Sequence, residues 1–175
     1  MNEIPPPSEE QVEIVKAIKD NNVIVDAIAG SGKTTTILHI SEAYPDRRIL
    51  LLTYNARLKK ETRVKTQIDF PNVECHSYHS FGFRYYSELC SRDIGIDHVL
   101  KNNIKANAKL KYDIIVIDEA QDMSPLLYAF VCKVYFENVV KARLCVVGDK
   151  NQCIFRFKEA DDRYIQYAQE LFSFA

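Results

Sequence analysis

Three runs of four apolar residues interrupt this chain without any alternation of polar side chains: Ile49-Leu50-Leu51-Leu52, Ile114-Ile115-Val116-Ile117 and Leu144-Cys145-Val146-Val147. A strand with one wet face alternates, whereas a strand apolar at every position must be covered on both sides. Val23-Ile24-Val25 is a shorter apolar run, and Val73 to Cys75 looks like a short strand. Between them lie helical segments. Ser8-Glu9-Glu10-Gln11 is a helix start with acidic residues on its first turn, and Val12, Val15 and Ile18 follow at helical spacing. Further helices are expected up to Ala43, from Asn55 to Gln67, from Ser77 to Cys90 and from Pro125 to Glu137. Residues 91–112 are expected to hold a short helix and loops around Val99 to Leu110, and an amphipathic tail runs to Ala175. Apolar strands alternating with helices predict an α/β fold, a mostly parallel sheet covered by helices on both faces. At 175 residues the chain is expected to be a single domain over 1–175.

Composition narrows the function classes. With 23 basic and 24 acidic residues the net charge is −1, so any nucleic-acid binding must come from a local groove and not from bulk charge. No apolar run approaches the length of a membrane span, and Met1 to Ser8 is polar and Pro-rich, unlike a secretory signal. Five cysteines, an odd number without a C-x-x-C pair, argue against a disulfide framework or zinc site and for a reducing compartment. An intracellular, soluble protein is expected, with a nucleus or nucleoid as a consistent setting.

Ala27-Ile28-Ala29-Gly30-Ser31-Gly32-Lys33-Thr34 follows a strand and opens a helix, the setting of a P-loop. Glycines let the backbone curl its N–H groups toward phosphate oxygens, and the helix N-terminus adds its positive end. Lys33 would reach the β and γ phosphates, and the Thr34 hydroxyl would ligate Mg²⁺. Ala27 stands where the general pattern has glycine. The strand at 114–117 ends in Asp118-Glu119, placing two carboxylates at the sheet edge where ligands bind in open α/β folds. Asp118 would hold the metal and Glu119 would orient and deprotonate the attacking water.

These residues bring a resemblance into view. The chain resembles the UvrD/Rep/PcrA family of superfamily 1 DNA helicases, specifically the N-terminal RecA-like P-loop NTPase domain. Ser8 to Gln11 resembles the Q motif, Ala29 to Thr34 motif I, Thr53-Tyr54-Asn55 motif Ia and Ser77 to Gly82 motif Ib. Asp118-Glu119-Ala120-Gln121-Asp122 is similar to motif II, and Gly148 to Phe157 to motif III. The six run in family order from Ser8 to Ala160. The resemblance implies that ATP is held by Gln11, which reads adenine, together with Ala29, Gly30, Ser31, Gly32, Lys33, Thr34 and Thr35. It implies Mg²⁺ on Thr34 and Asp118, and a γ-phosphate sensor at Gln152. Tyr54, Asn55, Ser77, His79, Phe155 and Phe157 would line a path for single-stranded DNA, with aromatic faces stacking on bases at about 1–3 kcal/mol each. Blander readings stand beside these. Gln11 closes a capping box with Ser8, His79 is a core histidine, and Tyr54 and Phe157 are core aromatics, as are Phe81, Phe83 and Tyr85.

The chain departs from the family at several points. Thr35 stands where an arginine is common, and Phe157-Lys158-Glu159 replaces an aromatic-Arg-Gly run, losing a planar fork that lysine cannot supply. The stretch from Tyr86 to Asp113 is where full-size relatives insert an accessory helical domain, expected here to be absent or vestigial. The second RecA-like domain, with its arginine fingers, is expected to be missing after Ala160 and to act as a partner in cis or in trans. Alone, the chain is then expected to bind nucleotide weakly, hydrolyse it slowly and unwind nothing. Two rival readings are a non-catalytic nucleotide-dependent module that binds a partner or single-stranded DNA, and a small P-loop kinase or GTPase. The second lacks support, because no Asn-Lys-x-Asp guanine reader is present.

Overall fold

The computed structural model describes residues 4–27, 32–54, 70–149 and 163–175. The expected helix over Asn55 to Gln67 lies outside the described residues. Five strands form one sheet: β1 (Val23–Asp26), β2 (Ile49–Thr53), β3 (Val73–Ser77), β4 (Ile114–Asp118) and β5 (Arg143–Gly148). Their spatial order is β1-β5-β4-β2-β3 and every pairing is parallel. The apolar runs occupy β2, β4 and β5, each buried along its length but for Arg143.

The two faces are divided by the pleat, since successive side chains point to opposite sides. Ile49, Leu51, Ile114, Val116, Cys145 and Val147 face one layer, packed with Ile18 beyond α1 (Glu9–Ala17) and with Ile37 and Ile40 of α2 (Lys33–Ala43). Leu50, Leu52, Ile115, Ile117, Leu144 and Val146 face the other, covered by α3 (Tyr78–Tyr85), α4 (Asp93–Lys101) and α5 (Pro125–Glu137). The carboxyl tail joins this second layer as two short helices, α6 (Arg163–Gln166) and α7 (Ala168–Leu171), burying Tyr164, Ile165 and Ala168, with Phe172 just beyond. Among the described residues no helix is long and apolar enough to cross a membrane.

Two boundaries differ from expectation. The helix from Ser77 stops at Tyr85, because Tyr86 and Ser87 both donate their N–H to the Gly82 carbonyl and the Ser87 hydroxyl then caps a 3-10 helix, Glu88–Ser91. The turn folds back so tightly that a Cβ on Gly82 would lie 2.7 Å from that of Cys90. In the next segment the helix spans Asp93–Lys101 and not Val99 to Leu110; Asn103, left-handed at φ 46°, ends it.

At the amino end of β3, Glu74 organises the layer beneath α3. Its carboxylate accepts from Tyr85 Oη at 2.5 Å, Tyr112 Oη at 2.7 Å and His76 Nε2 at 2.9 Å. Burial pushes this acid up, but the three hydrogen bonds outweigh it and hold the pKa down at about 2, against an ordinary 4.5. A depressed carboxylate stabilises the fold above its unfolded pKa and loses that contribution as pH falls toward the folded one. Between pH 5 and pH 2 the denaturant midpoint of the wild type should therefore fall more steeply than that of Glu74→Gln, which lacks this titration. Separately, a Cβ on Gly95 would lie 1.9 Å from the Leu89 carbonyl oxygen, a backbone atom that cannot step aside. Gly95→Ala should cost about 2–3 kcal/mol, read from a urea titration.

Candidate active site

The site is assembled at the carboxyl ends of β1, β4 and β5. After β1 the chain is tied down by the Ala27 N–H, which donates to the Gly148 carbonyl at 2.8 Å. At the start of the next described segment stands Gly32, whose φ of 85° lies in the left-handed region and whose missing Cβ leaves room for Gln11 Nε2 at 3.0 Å. Helix α2 starts at Lys33 with no side-chain cap and no acid on its first turn. Among the described residues no side chain caps its first N–H groups, an arrangement that suits an anion.

Gln11 takes the capping role weighed for it and a second one toward Gly32. Its Oε1 accepts from the Ser8 N–H at 3.0 Å while its own N–H donates to Ser8 Oγ, closing the capping box. The same amide donates through Nε2 to the Gly32 carbonyl at 3.3 Å and to Thr36 Oγ1 at 3.2 Å. Gln11, Ser8, Asp26, Lys33 and Thr36 border a cavity of about 220 Å³.

From the other side, β4 delivers Asp118 and Glu119. Lys33 Nζ donates to Glu119 Oε2 at 3.1 Å, a pair largely shielded from water. Glu119 sits in the left-handed region (φ 55°, ψ 48°), a conformation costing a non-glycine residue about 1–2 kcal/mol. The turn it makes lets its N–H donate to Asp118 Oδ1 at 3.0 Å and its carbonyl accept from the Asp122 N–H at 2.9 Å. Asp118 is buried and, among the described residues, has no ion-pair partner. Burial and then the Glu119 charge push its carboxyl up to about 7, more than Lys33 pulls it down. Asp122 is raised to about 6 by the same two influences, and its Oδ1 is buried without a hydrogen bond. A buried carboxylate short of positive charge, on the strand beside the Lys33 helix, suits a divalent cation, with Thr34 on the first turn of α2 as a second oxygen donor. The residues fit Mg²⁺.

Strand register sets the neighbours of this centre: Asp118 pairs with Thr53, and Thr53 with Ser77. Tyr54 therefore follows β2 one strand away, partly buried against the second layer, its phenol raised by burial and by Asp93 and Asp122. Ser77 caps α3 by accepting the Ser80 N–H at 3.2 Å. His79 is no core histidine: a third of its side chain is exposed and Nε2 meets Asp93 Oδ1 at 2.7 Å. Phe81 is fully buried and Tyr85 packs against the same cluster, but Phe83 is half exposed, correcting its reading as a core aromatic. Thr35 lies beside Thr34, partly buried. Ala29, Gly30, Ser31, Asn55, Gln152, Phe155 and Phe157 lie outside the described residues. Sequence reasoning gives Gln121 no task of its own. The structure buries it between Glu119 and the end of β5, and the polar residue so close behind the Asp-Glu pair is the signal that could have found it.

Comparison with known proteins agrees with this geometry. A family model described as an AAA domain matches residues 11–158. The chain is 24% identical over 174 residues to an ATP-dependent helicase/nuclease subunit of Clostridium perfringens, covering 92% of this chain and 12% of that protein. Against the protein of the same name from Clostridium beijerinckii it is 27% identical over 115 residues, 63% of this chain and 8% of the other. The chain thus spans a small part of these relatives' length. Among solved structures, a Bacteroides Pif1 bound to ssDNA superimposes with TM-score 0.50 at 20% identity, over 83% of this chain and 32% of that one. A structure of two coordinating Pif1 helicases at forked dsDNA gives TM-score 0.53 at 19% identity, covering 83% and 34%. These likenesses show a shared RecA-like fold.

Because one amide serves the helix start and the phosphate turn together, Gln11→Ala should destabilise the chain by about 1–2 kcal/mol. Thermal unfolding of the two proteins at one pH measures it.

Proposed function

The chain belongs to the AAA domain family whose model spans residues 11–158, and on that premise we propose that it is the ATP-binding motor domain of a superfamily 1 DNA helicase of the UvrD-like kind. The observation that supports this best is the meeting of Lys33 with Glu119 at 3.1 Å beside the buried Asp118. Cation, base and metal-binding acid come from two different strand ends and converge on one point, as in-line attack on a terminal phosphate requires. Nothing in a purely structural core needs a carboxylate buried without a cation.

In this reading Lys33 leaves Glu119 for the β and γ phosphates, while the α2 N-terminus and Gly32 hold the phosphate chain and Gln11 faces the adenine. Thr34 and Asp118 would hold Mg²⁺, which would supply positive charge against the phosphate oxygens. Glu119, released by Lys33, orients and deprotonates water. Gln152 senses the γ-phosphate. Tyr54, Asn55, Ser77, His79, Phe155 and Phe157 line the track of single-stranded DNA, of which Tyr54, Ser77 and His79 sit at or beyond the carboxyl ends of β2 and β3. A second RecA-like domain, in cis or in trans, supplies the arginine finger that is worth about 10³–10⁵ in rate. With it the domain couples ATP hydrolysis to translocation and unwinding.

Binding of a fluorescent ATP analogue with Mg²⁺ tests the reading. Lys33→Ala removes a charge-assisted hydrogen bond and should weaken affinity by about 10- to 150-fold while the far-UV spectrum is unchanged. Glu119→Gln should keep the affinity and abolish turnover. Equal affinity in folded wild type and Lys33→Ala would show the lysine to be structural.

A further inference from the structure

Gln121 is the buried side chain for which the functional reading above has no role. It is 2% exposed, in the 3-10 turn Ala120–Asp122, and its amide is used at both ends. Nε2 donates to Glu119 Oε2 at 2.6 Å, a short charge-assisted bond, and Oε1 accepts from the Asp149 N–H at 3.0 Å. The amide orientation follows from its neighbours, since a carboxylate can only accept and a backbone N–H can only donate. Lys33 Nζ meets the same Glu119 oxygen at 3.1 Å. A continuous chain therefore runs from Lys33 through Glu119 and Gln121 to the backbone just past β5. Gly148 belongs to it by default: a Cβ there would lie 2.7 Å from Gln121 Oε1 and would push the amide away.

We propose that Gln121 is a positioning residue that ties the carboxylate of Glu119 to the carboxyl end of β5, so that a nucleoside triphosphate drawing Lys33 away is registered at the Asp149 amide. The inference rests on nucleotide binding at Lys33 and adds a direction of transmission to it. Two donors share one oxygen of Glu119. When phosphate takes Lys33, the carboxylate loses one of them and turns, and Gln121, held by the shorter bond, turns with it. Its other end then shifts against the Asp149 N–H. Only a side chain that donates at one end and accepts at the other can do this: leucine offers neither group, and glutamate would set two carboxylates against each other.

Amide NMR of the ¹⁵N-labelled chain reads the relay directly, with magnesium and a slowly hydrolysed ATP analogue as the probe. In the wild type the Asp149 amide resonance should move as the nucleotide saturates. In Gln121→Leu and Gln121→Glu affinity should stay within about threefold of wild type, with the Asp149 response lost. Should either variant lose its dispersed spectrum, Gln121→Asn decides, because it keeps both amide groups on a stem one carbon shorter, too short to span Glu119 and the Asp149 N–H; it too should bind without moving Asp149. A wild-type Asp149 amide unmoved by bound nucleotide, or one that moves equally in a folded variant, overturns the relay alone. A wild type that binds no nucleotide overturns the functional reading along with it.

Discussion

The contact on which the rest of the molecule depends is the 3.1 Å pair between Lys33 and Glu119. Its partners are far apart in sequence and are brought together by the order of the strands. Lys33 begins the helix that follows β1, and Glu119 follows β4; β5 lies between the two strands and is paired to both. The register of a sheet buried on both faces is hard to slip, because a shift of one residue would exchange the two core faces. The apolar runs of β4 and β5 thus fix the height at which the strands end, and with it the meeting of the cation and the acid. A partly buried pair of this kind adds little net stability. What it does is hold both groups, largely shielded from water, at one point of the sheet's carboxyl edge.

Much of this is legible from residues alone. Strands without alternation announce a parallel, doubly covered sheet, and β2, β4 and β5 lie where those runs fall. The Gly-Ser-Gly-Lys-Thr turn and the Asp-Glu pair locate the carboxyl-edge site, since both patterns are local and tied to strand ends. What escapes depends on contacts between segments. The helix after Ser77 breaks early because Gly82 lies against Cys90, a closeness no periodicity records. Phe83 faces outward although Phe81 and Tyr85 face in, because helical spacing puts a residue two positions on at the far side. His79 reads from sequence as a core histidine or a groove residue; its partner Asp93 lies on a helix that the sequence places several residues too late.

Gln11 shows how a single amide can serve two contacts at once. A capping box asks for an acceptor that reaches back to Ser8, and a phosphate turn asks for a donor that supports Gly32 and Thr36. An amide has one of each, and the helix start lies close enough to the turn for both to be used. The first turn of α1 is therefore mechanically tied to the start of α2. Whatever orders one orders the other.

Gly148 bears on how a protein of this kind can diverge. Its bare Cα is a vacancy shaped around the oxygen of another residue's amide, so a side chain at 148 would have to displace that amide. A shorter residue at 121 would remove the tightest of the contacts that an alanine at 148 would meet, leaving the Ala120 N–H and Ile165 at 3.3 Å. The lock works one way: residue 121 can shorten freely, whereas 148 stays bare for as long as the long amide stands there.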